Sequence, residues 1–236
     1  MAEIRIGSCQ ILDEVSQNWF GRSYKAFDWN QNRHVLLTQC DPDWVDDEVL
    51  QRLQSEAKTF ALLKHPNIVR VLGFIRRRES LYLLTEFVEG PTLQQILAER
   101  ERMPLEMALC LFREIVAGAA AAHRLAVIHG DLGPWNIVVP DRGSVKIANF
   151  ALGHIFGYAR PIPPTREYLA PELIEGKTYD ARADIHSLGV MLYYAIAGQG
   201  PFDVYDVRNR DRNTFIPVPP SLVIPEIPSW LDDLLS

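Results

Sequence analysis

The chain has 236 residues, 47% hydrophobic and 23% charged, so it can bury a core of ordinary globular composition. Its 24 Lys and Arg against 30 Asp and Glu leave a net charge of -6, which argues against a general nucleic-acid or anionic-membrane binder. The three cysteines are far apart and lack metal-ligand spacing, as expected for reduced thiols. No signal pattern or bilayer-length apolar run is found, so the cytoplasm is the expected location.

The first 89 residues are predicted to form a small β-rich unit. Between Ile4 and Cys40, β-branched and aromatic residues broken by turn formers predict three short antiparallel strands. Apolar residues at helical spacing predict one helix over 46–64. Two further apolar runs, 68–75 and 81–88, complete a five-stranded sheet.

Residues 90–236 are predicted to be mainly helical. Helices are expected over 92–101, 104–124 and 183–197, with short strand-like pieces between 127 and 150. The predicted fold class is therefore α+β, with a five-stranded antiparallel β lobe carrying one helix, followed by a mainly α lobe.

Four motifs in the second unit resemble protein kinase motifs in order and spacing. The string VIHGDLGPWNIVV (127–139) resembles the catalytic loop, where His-Arg-Asp is followed five residues later by Asn. VKIANFALG (145–153) resembles the strand and Asp-Phe-Gly motif, TREYLAPE (165–172) the end of the activation segment, and DIHSLGVMLYYAIAGQGPF (184–202) the central helix of the second lobe. In the first unit, HPNIVRVLGF and LYLLTEFVEG resemble the fourth and fifth strands and the hinge.

The chain is thus identified as a degenerate member of the protein kinase superfamily, of the Ser/Thr kinase-like type. The resemblance implies a bilobal kinase-like domain with an N-lobe over 1–89 and a C-lobe over 90–236. Glu172 matches a structural anchor whose arginine partner is absent from the chain, so the C-lobe is expected to stop before its last helices.

Several positions keep the residues that the family motif requires. By resemblance, Asp131 matches the catalytic base, Asn136 the second metal ligand and Thr165 the activation-segment threonine typical of Ser/Thr kinases. Asp184 matches a second-lobe anchor. The apolar spine that joins the lobes is matched by Phe60, Val71, His129 and Phe150. Asp131 and Asn136 could serve catalysis or, as vestiges, only brace the loop by hydrogen bonds.

The positions that face ATP depart from the family pattern. Of the glycine-rich loop only Gly21 survives, Thr38 replaces the phosphate-binding lysine, and Glu56 loses its lysine partner. Asn149 replaces the metal-binding aspartate, which should weaken Mg²⁺ binding. The degenerate nucleotide-cleft positions are Gly21, Thr38, Glu56, Thr85, Glu86 and Asn149.

Four further replacements bear on phosphate and adenine contacts. Gly130 and Gly133 stand where the family has an arginine and a lysine, so a phosphate-receiving arginine and a phosphate contact are missing. Ser23 and Leu36 replace a valine and an alanine above the adenine, and Leu36 could fill space that the base needs.

These losses together predict a pseudokinase, a protein-binding or regulatory scaffold with weak or absent ATP binding. Its partner would be another protein, and no metal or cofactor is expected. The alternative is an active Ser/Thr protein kinase that uses ATP and Mg²⁺ with atypical contacts. In that case Asp131 is the base, and Lys25, which has the strand parity to face the cleft, could replace the missing lysine.

Overall fold

The computed structural model describes residues 4–18, 21–77, 80–150, 166–202 and 217–235. The first lobe contains an antiparallel sheet with strand order β1-β2-β3-β4-β6-β5. Its strands are β1 (Arg5–Ile6), β2 (Cys9–Asn18), β3 (Gly21–Asp28), β4 (Arg33–Cys40), β5 (Val71–Arg77) and β6 (Ser80–Glu86). The five predicted strands are present, and the two-residue β1 adds a sixth at one edge.

Alternation along β4 gives the sheet two different faces. Val35 and Leu37 are fully buried on the outer face, in a cluster that includes Ala26 and Leu84. Because successive strand side chains point to opposite faces, Leu36 and Thr38 face the second lobe. This places the two predicted cleft positions of β4 on the same face of the sheet.

The first lobe carries one helix, α1 (Asp47–Leu62), as predicted. It begins after Asp46, whose carboxylate accepts a hydrogen bond from Val49 N at 2.8 Å and so satisfies one free amide of the first turn. Val49, Leu53 and Phe60 are buried. These three side chains join the larger apolar cluster of the molecule.

The second lobe is mainly helical, as predicted. Its elements are α2 (Leu93–Ala98), α3 (Leu105–His123), β7 (Ile137–Val138), β8 (Lys146–Ile147), α4 (Pro171–Ile174), α5 (Ala181–Ala197), α6 (Pro220–Val223) and α7 (Trp230–Leu235). Helix α5 has ten buried residues, and it is followed by Gly198, which has the left-handed conformation common after a helix (φ 72°). None of the helices in the described part of the chain has both the length and the apolar character needed to cross a membrane.

The two lobes are joined by backbone pairing that the sequence did not reveal. Val69 N donates to Ile147 O at 2.8 Å, and Ile147 N donates to Asn67 O at 2.9 Å. The run predicted as a strand from residue 68 therefore becomes a strand of the sheet only at Val71, because Ile68 and Val69 pair with Ile147 of β8 instead.

The predicted apolar spine is also built. Phe60 and Phe150 are buried in the larger cluster, and Val71 packs against it. The His129 ring meets the Phe150 ring edge-on, with 4.7 Å between centroids.

Candidate active site

The loop that carries Asp131 is anchored from below by Asp184 of α5. The Asp184 carboxylate is 1% exposed and accepts hydrogen bonds from His129 N at 2.8 Å and Gly130 N at 2.9 Å. It also lies 2.7 Å from His123 Nε2 at the end of α3. A buried carboxylate is tolerated only with such partners, so Asp184 holds the loop to two helices.

Asp131 and Asn136 form one compact unit within this loop. Asp131 is 2% exposed, and its backbone N donates to His129 Nδ1 at 3.2 Å. Its carbonyl accepts from Asn136 Nδ2 at 2.8 Å. The resemblance matched both residues to one catalytic-loop motif, and in the structure they are in direct contact.

Asn149 completes the unit. Its Nδ2 donates to Asn136 Oδ1 at 2.8 Å, because the other end of the Asn136 amide is already committed to the Asp131 carbonyl. Asn149 has a left-handed backbone (φ 65°), which asparagine tolerates better than most residues. The amide that replaces an aspartate here therefore pairs directly with the retained Asn136.

Trp135 and Tyr179 crowd the two loop glycines. A Cβ built on Gly133 would lie 2.4 Å from Trp135 Cζ2, and one on Gly130 would lie 2.7 Å from the Tyr179 hydroxyl. At both positions where the family has a cationic side chain, an aromatic ring therefore lies where that side chain would begin. Comparison with the family motif alone did not identify these two rings.

We expect Gly130→Ala to destabilise the fold more than Gly176→Ala does. Both glycines have left-handed backbones (φ 69° and 66°), so both alanines incur similar strain of about 1 kcal/mol. Only Gly130 has a close neighbour, whereas a Cβ at Gly176 meets nothing within 4 Å. Overpacking against Tyr179 should add about 1–3 kcal/mol.

Urea unfolding of the two variants measures this difference. The double variant Gly130→Ala/Tyr179→Phe removes the nearest oxygen and should recover part of the loss. Equal free energies of unfolding for the two single variants would show that Tyr179 yields without cost.

On the opposite side of the cleft, a hydroxyl pair occupies the position of the missing lysine. Ser23 Oγ and Thr38 Oγ1 lie 3.0 Å apart, and their side chains are 4% and 1% exposed. Glu56 on α1 is partly buried and makes no ion pair with any described residue. The pairing of Ser23 with Thr38 was missed, although two hydroxyl residues at cleft-facing positions of adjacent strands were the available signal.

Gly21 is required by the sheet itself. A Cβ there would lie 1.8 Å from Gln39 O on β4, and its φ of 146° is rare for other residues. This close approach is sufficient to explain why the loop retains this glycine, and no contact with a ligand has to be invoked.

The hinge end of the cleft brings together Leu36 and Thr85, which are register partners on β4 and β6. Leu36 is partly exposed and belongs to neither apolar cluster. Thr85 is 4% exposed, and its hydroxyl has no hydrogen-bond partner in the described part of the chain. This end of the cleft therefore combines an accessible apolar side chain with one polar atom.

Glu86, which was predicted as a nucleotide-cleft position, makes contacts within the protein. Its carboxylate accepts from Lys146 Nζ at 2.7 Å and from Arg70 N at 3.2 Å. The side chain of Glu86 thus connects the hinge to β8.

Lys25 lies on the cleft face, as its parity predicted, since it pairs with Leu36. Its Nζ is 4.6 Å from the centroid of the Phe87 ring, a cation–π arrangement. The register partner of Thr38 is instead Ser23, two residues away along β3. The ammonium of Lys25 therefore lies beside the ring of Phe87 at the hinge.

The predicted activation-segment residue, Thr165, lies outside the described residues.

Comparison with known proteins defines the class. A sequence model of the protein kinase domain matches residues 10–229. This chain therefore belongs to the protein kinase domain family, as its motifs predicted.

Two of the similar proteins are bacterial and are named serine/threonine-protein kinases. The chain is 29% identical over 237 residues to the probable serine/threonine-protein kinase CPE1738 of Clostridium perfringens, covering 96% of this chain and 34% of that protein. It is 32% identical over 222 residues to the serine/threonine-protein kinase PknL of Mycobacterium tuberculosis, covering 90% and 55%. The chain thus spans about a third to about half of these relatives. The structure of a double mutant of the PknI kinase domain of M. tuberculosis has the same bilobal fold, with a TM-score of 0.81, 24% identity, and coverage of 100% of this chain and 91% of that one.

These relatives correct the functional prediction. The pseudokinase reading is contradicted, because the matched relatives are named serine/threonine-protein kinases, which favours the alternative of an active kinase. The expected absence of enzymatic activity and of a cofactor has no support in them. The physical reason for the error is visible in the cleft. Position-by-position comparison treated each missing charge as a separate loss, whereas Thr38 and Asn149 are paired with Ser23 and Asn136.

Proposed function

We propose that this chain is the catalytic domain of a serine/threonine protein kinase that transfers the γ-phosphate of ATP to a protein hydroxyl, with atypical phosphate and metal contacts. The observation that carries the proposal is the buried catalytic loop, in which Asp131, Asn136 and Asp184 are joined by hydrogen bonds. Phosphoryl transfer depends mainly on positioning, and this loop provides a rigid position. Because the chain covers only part of its relatives, the activity and substrates of a whole protein are included in the proposal.

Asp131 is assigned as the group that accepts the proton of the substrate hydroxyl. The hydroxyl oxygen forms a bond to the γ-phosphorus while the bond between that phosphorus and the bridging oxygen breaks, so ADP leaves and the proton moves to the carboxylate. Asn136 keeps Asp131 in place through its hydrogen bond to the Asp131 carbonyl.

The cleft contains groups suited to a nucleotide. Leu36 offers an accessible apolar surface for a base. In the pair formed by Ser23 and Thr38 one hydroxyl donates to the other, which leaves one hydroxyl proton for a phosphate oxygen. Neutral donors give weaker hydrogen bonds to a phosphate than an ammonium does, so ATP affinity should be modest.

The residues around Asn136 fit Mg²⁺ only weakly, because they offer neutral amide oxygens as ligands. The side chains in direct reach of one another are two amides, and Asn136 Oδ1 already accepts from Asn149. Mg²⁺ is commonly held by substrate phosphates and waters with one or two protein oxygens, so amide oxygens could take that place. When bound with ATP, the ion would neutralise phosphate charge.

Transfer of labelled phosphate from ATP to the chain itself and to generic acceptor proteins tests the proposal directly. We expect transfer in Mg²⁺ or Mn²⁺, and a thermal shift that grows with ATP concentration. Absence of both, across several divalent metals, would contradict the proposed function.

A metal titration tests the atypical contact. We expect Asn149→Asp to lower the Mg²⁺ concentration for half-maximal transfer about tenfold, because it supplies the anionic oxygen that Mg²⁺ prefers. Asn32→Asp is the matched control, since Asn32 also has a left-handed backbone (φ 50°) but lies in the turn between β3 and β4. An unchanged requirement in Asn149→Asp would place the metal contact elsewhere.

A further inference from the structure

The Trp135 ring fills a space in the catalytic loop that a side chain of residue 133 would need. A Cβ built on Gly133 would lie 2.4 Å from Trp135 Cζ2, 2.5 Å from Cη2 and 2.7 Å from Cε2. Gly133 follows Asp131 by two residues, so their Cα atoms are at most about 7 Å apart. The ring therefore lies against the backbone of the segment that carries the proposed base.

The Trp135 ring is held in this place by its neighbours. Trp135 lies inside a turn that is closed by a hydrogen bond from Asn136 N to Gly133 O at 2.9 Å. The Tyr168 ring stands nearly perpendicular to the indole, at 81° and with 5.5 Å between centroids. The Tyr168 backbone is fixed in turn, because its carbonyl accepts a hydrogen bond from the buried Ser187 hydroxyl at 2.7 Å. The indole is thus positioned beside the catalytic loop before any ligand binds.

The side of the indole that faces the loop includes its N–H group. Nε1 is bonded to Cε2, which is one of the three ring atoms nearest to the Gly133 position. A partly buried tryptophan N–H usually has a hydrogen-bond acceptor, but the described residues provide none for Trp135. The N–H group of the more exposed Trp29, by contrast, donates to Gln10 Oε1 at 3.0 Å. Trp135 therefore has one hydrogen bond to offer to a ligand.

The proposed reaction brings a phosphate group next to this part of the loop. The acceptor hydroxyl gives its proton to Asp131 while it attacks the γ-phosphorus, so the γ-phosphate must approach the loop closely. The ammonium of Lys25 lies elsewhere, beside the Phe87 ring at the hinge. Ser23 and Thr38 leave only one hydroxyl proton for a phosphate oxygen. A donor on the Asp131 side of the cleft would complement that single hydroxyl.

We propose that the indole N–H of Trp135 donates a hydrogen bond to the terminal phosphate of ATP and so replaces the phosphate contact that is lost at Gly133. The inference rests on the proposed kinase function and deepens it by assigning a phosphate-binding residue to the loop. Gly133 and Trp135 act together, because the ring can lie over the loop only where residue 133 has no side chain. A neutral N–H gives a weaker contact than an ammonium, in keeping with modest ATP affinity.

Two nucleotides that differ by the terminal phosphate test this contact without any transfer step. Kd values for ADP and for the β,γ-imido analogue of ATP are measured with Mg²⁺ by isothermal titration calorimetry. Trp135→Phe keeps an aromatic ring and removes the N–H group. We expect this variant to bind the ATP analogue about tenfold more weakly and ADP as before, since a hydrogen bond to a charged group contributes about that factor.

A control variant and an exchange variant separate the contact from a purely structural role of the ring. Trp29→Phe removes the same N–H group from the first lobe, so the ratio of the two Kd values should stay unchanged. Trp135→Ala should lose the preference for the ATP analogue, as Trp135→Phe does. Gly133→Lys/Trp135→Ala then supplies an ammonium in the space that the ring has left, and it should restore that preference.

The outcomes separate this inference from the proposed function. A preference for the ATP analogue that depends on Trp135, in a chain that transfers no phosphate, would support the contact and contradict the kinase proposal. Phosphate transfer by a chain in which Trp135→Phe leaves both Kd values unchanged would overturn the contact alone. Equal weakening of ADP and the analogue, or the same effect from Trp29→Phe, would also overturn it. A chain that binds neither nucleotide would contradict both proposals.

Discussion

Replacing Asp131 by asparagine should reduce phosphate transfer by about 10²–10⁴-fold while leaving ATP affinity and folding close to normal. The loss follows because an amide cannot accept the proton of the substrate hydroxyl, and a positioned general base contributes about that factor. The fold should persist because asparagine has nearly the shape of aspartate and keeps the backbone hydrogen bonds that Asp131 makes at N to His129 and at O to Asn136. Single-turnover transfer assays and an ATP thermal shift measure the two effects separately.

Asp141→Asn is the matched control for this variant. Asp141 is exposed in the turn between β7 and β8, so the same loss of one negative charge should leave transfer unchanged. Full transfer by Asp131→Asn would assign the base to another residue and contradict the role given to the loop.

The fold could be predicted largely from sequence because its signals are local. The apolar spacing of Val49, Leu53 and Phe60 indicated α1, and the cap at Asp46 defines where the helix begins. The start of β5 could not be predicted, because Asn67 and Val69 bond to Ile147, almost 80 positions further along the chain. Pairing with a distant partner leaves no periodic pattern in the segment itself.

The candidate site residues were identified from motif order, without their hydrogen-bond partners. Asp131, Asn136, Thr38 and Asn149 were all identified from motif order, and the structure gives each a place at the cleft. What the motif comparison could not supply is which replacement contacts which neighbour, since Ser23 meets Thr38 through strand register. An inference from lost charges alone therefore overestimated the damage.

The aromatic contacts among Trp135, Tyr168 and Tyr194 show the same limit. Trp135 was read only as part of the catalytic-loop string, because its ring contacts depend on Tyr168 and Tyr194, which come from two later segments. Its one local signal was the small Gly133 two residues before it.

Asp184→Asn should destabilise the chain by about 3–5 kcal/mol and abolish phosphate transfer. The buried carboxylate accepts from two backbone N–H groups and lies against His123, whereas an amide has one acceptor oxygen and turns an NH₂ group toward remaining donors. Because these contacts hold the catalytic loop to α5, weakening them releases the Asp131 segment before the rest of the lobe. Urea unfolding followed by tryptophan fluorescence measures the loss, with transfer assayed below the transition.

His123→Ala provides the graded comparison that keeps this prediction testable if Asp184→Asn does not fold. It removes one of the three contacts and leaves both backbone hydrogen bonds to Asp184, so we expect a smaller loss of about 1–3 kcal/mol and a folded protein. The order of the two losses is the decisive result. If His123→Ala were as damaging as Asp184→Asn, the stability would come from the packing of the His123 ring, and the backbone hydrogen bonds to Asp184 would not be what anchors the loop.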